Sequence, residues 1–170
     1  MIQKKVCMVG VYGTGKTCLV QQYVHSIFAA RYLSTVGVKI DRKDVQSRGQ
    51  DLRLMLWDLE GRDGIRDVNT SYLRGAHGVI YVADGTRPET LEQIAELREN
   101  VVSAIGEVPS ILALNKIDLT GDWKISSADE SLAASTGHLV RTSAKTGEGV
   151  EPAFQWLADT LLEKEGEGAS

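Results

Sequence analysis

The sequence predicts an α/β fold in a single domain, a β-sheet packed against helices. Two observations carry that expectation. Short apolar runs alternate along the chain with segments whose apolar residues recur at helical spacing. A glycine-rich stretch, GVYGTGKT at residues 10–17, sits at the first junction between the two kinds of segment. Length sets the domain count, because 170 residues and 18.5 kDa suit one domain better than two. A composition of 42% apolar and 25% charged residues is that of a globular chain, and it excludes a mostly disordered one.

Taken in order, residues 4–9 form a short apolar strand that ends in a glycine turn. Residues 16–25 follow as a helix with Leu19, Val20 and Tyr23 on one face. Residues 38–45 and 52–58 are two strands joined by a polar turn over 46–51, a link too short for a parallel crossover and so an antiparallel hairpin. Residues 78–83 make a compact buried strand. Pro88 suits the first turn of a helix, and Leu91, Ile94, Leu97 and Val101 continue it at helical spacing. A strand over 109–114, a serine-capped helix over 126–135 and a short strand near 139–141 come next. The closing helix, 150–162, aligns Phe154, Leu157 and Leu161 in one stripe. Two stretches, 26–36 and 59–72, lack clean periodicity and lie just beyond motif-bearing elements, where loops carry function.

Charge and cysteine content narrow the function classes. Nineteen basic against 23 acidic residues give a net charge of −4 and a pI near 5.4. That excludes a general basic surface for nucleic acid, so no nucleic-acid partner is expected. Cys7 and Cys18 are too few for a disulfide framework, and they are expected as two buried thiols in a reducing compartment. His25, His77 and His138 show no zinc-ligand spacing. No signal peptide, membrane-spanning run, second-position glycine or lipidation cysteine is visible. The expected setting is the cytoplasm, without an intrinsic membrane anchor and with any membrane recruitment through a partner. The final EKEGEGAS has the character of a frayed acidic tail.

Gly10 to Thr17 fits G-x-x-x-x-G-K-[ST] between a strand and a helix, the context this phosphate-binding motif requires. Its glycines let the backbone wrap closely, so that successive N–H groups aim at phosphate oxygens. The helix N-terminus beyond the loop adds positive potential. Lys16 is placed to reach the β- and γ-phosphates, and the Thr17 hydroxyl to bind Mg²⁺. Gly10, Tyr12, Gly13, Thr14, Gly15, Lys16, Thr17 and Cys18 form the expected phosphate-side contact run. The motif alone does not separate an ATPase, a kinase and a GTPase.

Asn115-Lys116-Ile117-Asp118 follows the apolar residues 111–114. A carboxylate accepts from both the ring N–H and the exocyclic amine of guanine. Adenine offers no such pair, so Asp118 would be left unsatisfied by the wrong base. Asn115 is suited to donating toward the other base edge and tying this loop to the phosphate loop. The Lys116 stem can lie over the ring. Thr142-Ser143-Ala144-Lys145 strengthens the reading, because its backbone N–H groups are available to a base oxygen. As a lone tetrapeptide, residues 115–118 would equally suit a polar turn after a strand.

With GVYGTGKT, YLSTVGV, WDLEG, SYLRGAHGVIYVADGT, NKID and TSAK in this order and spacing, the chain resembles the Ras-like small GTPases, the Rab branch most closely. The resemblance runs from Lys5 to about Leu162. It implies a three-layer P-loop NTPase domain over 1–165, a six-stranded and mostly parallel sheet with helices on both faces, followed by a flexible acidic tail over 166–170. It implies GTP or GDP with Mg²⁺ as ligands, bound at the carboxyl ends of the strands. Thr35 matches the switch threonine that joins Mg²⁺ and senses the γ-phosphate. Asp58 matches the carboxylate that holds Mg²⁺ through water, so the implied metal set is Thr17, Thr35 and Asp58. Gly61 matches the glycine whose N–H meets the γ-phosphate, and Phe28 the aromatic packed edge-on against guanine. Phe28 as a plain hydrophobic anchor is the alternative. Trp57 is either a core aromatic or a partner-facing one, which its exposure decides. Nucleotide binding is thus expected at Phe28, Thr35, Gly61, Asn115, Lys116, Asp118, Ser143, Ala144 and Lys145 besides the phosphate loop. Hydrolysis is expected to involve Lys16, Thr35, Gly61 and Arg62. Switch segments near 26–37 and 59–72 would engage protein effectors, with exchange and activating proteins as further partners.

Three positions, Tyr12, Glu60 and Arg62, depart from that family pattern, Glu60 standing where alanine is common. Arg62 stands where a glutamine usually orients the attacking water, and a guanidinium donates but never accepts. Glu60 and Asp63 flank the site, either as substitutes for that acceptor or as solvated charges. Tyr12 places a phenol beside the γ-phosphate. It either crowds the space an incoming arginine would use or bonds a phosphate or switch oxygen. The sequence therefore suggests a slow GTPase switch. Alternatives are a GTP- or GDP-bound scaffold with negligible turnover and a P-loop kinase or ATPase, which Asp118 disfavours.

Overall fold

The computed structural model describes residues 1–28, 37–59, 70–134 and 137–168. The strands are β1 (Ile2–Val9), β2 (Val38–Ser47), β3 (Gln50–Leu59), β4 (Gly78–Asp84), β5 (Ser110–Asn115) and β6 (His138–Thr142). Among the described residues the helices are α1 (Lys16–His25), α2 (Thr70–Leu73), α3 (Pro88–Ile105), α4 (Ser127–Ala134) and α5 (Val150–Gly168), with a 3-10 turn at Thr120–Asp122. The sheet order is β2-β3-β1-β4-β5-β6. Only β2 runs antiparallel, paired with β3; every other neighbour is parallel. This is the six-stranded, mostly parallel sheet that the resemblance to the Ras-like small GTPases implies.

Strand alternation divides the interior into two cores. On one face Val6, Met8, Leu54, Leu56, Ile80 and Val82 pack with Leu19, Val20, Phe154, Leu157 and Leu161 of α1 and α5. The Tyr23 and Phe154 rings stack there at 3.9 Å between centroids. On the other face Cys7, Val9, Val79, Tyr81, Leu112 and Leu114 pack with Ile94, Leu97 and Val101 of α3. Helices on both faces give three layers, which explains why strands such as β4 are buried along their whole length.

Local chemistry sets the element ends. The β2–β3 turn is tighter than the polar run 46–51 suggests. It comprises Arg48 and Gly49 alone, both at positive φ (50° and 76°), while Ser47 pairs with Gln50. That is the primed two-residue turn favoured by strand twist. Of the polar residues flanking it, Gln46 and Ser47 close the edge strand β2, and Gln50 and Asp51 open β3, so polarity there marks strand ends and not a loop. Ser126 and Asp129 cap α4 reciprocally: Asp129 N donates to Ser126 Oγ and Ser126 N to Asp129 Oδ2, both at 3.1 Å. Helix α2 falls inside the stretch 59–72 that periodicity left irregular, and at four residues it is too short to show a period. Helix α5 runs past Leu162 through residues 166–168, which composition assigned to the tail; good helix formers at Glu163, Lys164, Glu165 and Glu167 carry it on. No helix among the described residues is long and apolar enough to cross a membrane.

Candidate functional site

The loop over 10–15 leaves the C-terminal end of β1 and enters α1 at Lys16. Gly15 holds the N-cap of α1 with φ +98°, a left-handed conformation that favours glycine. A Cβ there would stand 2.3 Å from Asn115 Nδ2, so the position is closed to side chains on both counts. Gly10 is buried, Gly13 also has positive φ, and the Thr14 hydroxyl donates to the Val11 carbonyl at 3.0 Å inside the loop. Tyr12 is 46% exposed at the outer rim.

Lys16 is buried, and its ammonium donates to the Gly10 and Val11 carbonyls at 2.9 and 3.2 Å. Burial lowers its pKa to about 8; the Asp58 carboxylate opposes that shift and Arg87 reinforces it. A lysine held this way sits among loop carbonyls with its charge weakly solvated, ready to exchange them for anionic oxygens.

Asp58, on β3 and beside Met8 in the sheet register, accepts a hydrogen bond from Thr17 Oγ1 at 2.6 Å. Two hard oxygens thus meet next to the lysine. Such a pair fits Mg²⁺, which takes few protein ligands and shares the rest of its octahedron with water and phosphate. Among the described residues no group of three or more His, Cys, Asp and Glu side chains gathers to hold a metal by itself.

The second loop closes on the first. Asn115 is buried at the end of β5, and its Nδ2 donates to the Thr14 carbonyl at 3.0 Å. Its Oδ1 accepts from Thr142 Oγ1 at 3.2 Å and from Ala144 N at 3.3 Å. Lys116, a non-glycine residue at φ 74°, donates to the Gly13 carbonyl at 3.1 Å and pairs with Asp84 Oδ2 at 2.8 Å. Ser143 Oγ donates to Asp118 Oδ1 at 2.8 Å, leaving the partly exposed carboxylate with further acceptor capacity. Asn115, Lys116, Asp118, Ser143 and Ala144 therefore form one hydrogen-bonded body with the phosphate loop, with Lys145 exposed at its edge.

Other expected residues are less integrated. Phe28 is 40% exposed and is no core anchor. Cys18 is only half-buried, unlike Cys7, and packs at the margin of the core that α1 and α5 share; burial pushes its thiol pKa up, against the opposing charge of Lys116. Trp57 is half-buried, with Lys5 Nζ 3.7 Å from its ring centroid and Tyr72 at 6.5 Å. Thr35, Glu60, Gly61, Arg62 and Asp63 lie outside the described residues.

Two residues beyond the motifs belong to the site. Asp84 ends β4, buried, and its Oδ1 accepts from Thr86 N and Thr86 Oγ1 at 2.8 and 2.7 Å. Arg87 follows at the N-cap of α3. Nothing in residue spacing marks them; the only signal was a carboxylate at the carboxyl end of a buried strand, where open α/β sheets bind ligands. Across the whole span from β1 to α5, a sequence model of the Ras family matches residues 5–163.

Proposed function

We propose, because the chain belongs to the Ras family, that it is a guanine-nucleotide switch that hydrolyses GTP to GDP with Mg²⁺, slowly, and signals through protein effectors. Members of that family are generally GTPases, and the P-loop GTPase fold is present here. The observation that carries the reading is the junction of the two loops. Asn115 binds the Thr14 carbonyl while Asp118 is seated by Ser143, so one rigid body offers phosphate donors at one end and a carboxylate at the other. The order and spacing of GVYGTGKT, YLSTVGV, WDLEG, SYLRGAHGVIYVADGT, NKID and TSAK support a reading nearest the Rab branch.

In this reading Lys16 donates to the β- and γ-phosphates and stabilises charge that develops as the γ-phosphoryl group leaves. Backbone N–H groups of Gly13, Thr14 and Gly15 hold the remaining oxygens in place. Thr17, Asp58 and Thr35 would hold Mg²⁺; when bound, the ion neutralises charge on the phosphate oxygens. Asp118 selects guanine, Lys116 covers the ring, and the exposed Phe28 borders it. Thr35 and Gly61 sense the γ-phosphate and order the segments near 26–37 and 59–72, which effectors and regulators read. A guanidinium at Arg62 cannot accept a proton-side bond from the attacking water, which supports slow turnover. The same residue supports the second reading, a nucleotide-loaded scaffold without useful hydrolysis.

Competitive binding with GTP, ATP and XTP tests the base assignment. The wild type is expected to prefer GTP. Asp118→Asn is expected to shift preference toward XTP, whose C2 oxygen takes a hydrogen bond from the amide. Equal affinity of the wild type for ATP and GTP would refute the guanine reading.

A further inference from the structure

Three consecutive carbonyls of the phosphate loop are each held from outside. Arg87 Nη2 donates to the Tyr12 carbonyl at 2.8 Å, Lys116 Nζ to that of Gly13 at 3.1 Å, and Asn115 Nδ2 to that of Thr14 at 3.0 Å. In a planar trans peptide the carbonyl and the following N–H point in opposite directions. Each outside donor therefore turns one amide inward, those of Gly13, Thr14 and Gly15 in turn. Two of the donors come from the base-reading loop. The third, Arg87, belongs to neither motif.

Arg87 is itself anchored. Its Nε donates to Asp84 Oδ2 at 3.2 Å, the oxygen that also takes Lys116 Nζ at 2.8 Å. One buried carboxylate thus spreads two cations onto adjacent carbonyls. Asp84 is kept ionised there: burial alone would raise its pKa, but the bonds from Lys116 and Thr86 hold it lower than usual. With two cations on one carboxylate, the outer wall of the loop keeps an excess positive charge, which Lys16 feels from Arg87.

We infer that Arg87, anchored by Asp84, is a positioning residue for the nucleotide, fixing the Tyr12–Gly13 peptide so that the Gly13 amide stays aimed at the phosphates. The inference rests on the guanine-nucleotide reading above. On that reading Tyr12 lies beside the γ-phosphate, so loss of Arg87 is felt more by a triphosphate than by a diphosphate. Arg87→Lys keeps a charge but cannot span Asp84 and the Tyr12 carbonyl with two separate nitrogens.

Stopped-flow release of fluorescent GDP and of fluorescent guanylyl imidodiphosphate, with excess Mg²⁺, tests this on wild type, Arg87→Ala and Arg87→Lys. Arg87→Ala is expected to release the triphosphate analogue about tenfold faster, the scale of one hydrogen bond from a charged group. GDP release should rise less, and Arg87→Lys should lie between wild type and alanine. Release of both nucleotides within about twofold of wild type would overturn the role of Arg87. So would equal acceleration of both together with a lower melting temperature of the nucleotide-free protein, which would mark Arg87 as merely structural. A wild type that binds ATP as well as the guanine nucleotides would instead strike the reading on which the inference rests.

Discussion

Replacing Gly15 by alanine tests the cradle at its tightest point. The residue has φ +98°, and an alanine held in left-handed backbone costs about 1–2 kcal/mol. Its Cβ would fall 2.3 Å from Asn115 Nδ2, so the amide must move away from the Thr14 carbonyl it meets at 3.0 Å. Asn115 is only 1% exposed, so bulk solvent has little access to replace the bond. Leaving such a buried pair unmade costs about 1–3 kcal/mol. The sum is about 2–5 kcal/mol; the part that the nucleotide-free protein can relax and the bound state cannot weakens nucleotide, by about thirtyfold where that part is about 2 kcal/mol. Calorimetric titration with GDP and Mg²⁺ measures it, with thermal melting of the nucleotide-free protein as the companion. In an Asn115→Ala background the clash is gone, so Gly15→Ala should cost only its backbone part and the two changes should add to less than their sum. An affinity for GDP within about threefold of wild type would refute the reasoning, since both strain and displaced amide would then have been absorbed without moving the phosphate donors.

Lys16 gives the site a pH dependence. Phosphate favours the charged lysine, so GDP affinity should be flat below a pH of about 8 and fall as pH rises above it. The nucleotide-free fold should respond in the opposite sense: between about 8 and the ordinary value of 10.5 the unfolded chain holds the extra proton, so the Lys16 contribution to stability rises with pH. Titrations and denaturant midpoints across pH 7 to 10, roughly the span between those two values, separate the two trends, and Lys16→Gln should flatten both. Gly85→Ala should destabilise the fold by about 1–3 kcal/mol, because its Cβ would lie 1.9 Å from the Trp123 ring that covers the end of β4; Trp123→Ala should relieve the effect in a melting experiment. Arg62→Gln should speed single-turnover GTP hydrolysis by about tenfold or more by restoring an acceptor for the water, and equal rates would remove Arg62 from the explanation.

Sequence patterns revealed those parts of the protein whose chemistry is local. Gly10 to Thr17 works as a loop because neighbouring amides act together, and Asn115 to Asp118 because three side chains leave one turn. Both can be read from adjacent letters. The strands were legible for a similar reason, since burial on both faces makes residues 78–83 and 111–114 continuously apolar. What escaped depends on distant partners. Asp84 and Arg87 look like an ordinary carboxylate and an ordinary cation until strand order brings them beneath the loop that starts at Gly10. Cys18 was expected buried because its helix face could not be separated from the core stripe by type alone. The tight turn at Arg48 and Gly49 was hidden because the polar ends of β2 and β3 have the same polarity as a loop.

A glycine-rich loop gains close approach to phosphate at the expense of definition, because glycine leaves the backbone many conformations. Here the definition is supplied by the sheet. Asp84 is paired with Asn115 and Asn115 with Thr142 in the parallel register of β4, β5 and β6. One row across three strands therefore presents the anchor of Arg87 and Lys116, the donor to Thr14 and the hydroxyl that steadies that donor. A one-residue slip of β5 against β4 would carry Asn115 to the opposite face and remove its bond to the loop, while GVYGTGKT itself stayed unchanged. The inward aim of the phosphate amides is thus a property of strand register as much as of the motif. Substitutions that loosen the β4–β5 pairing should then weaken nucleotide binding before they unfold the domain.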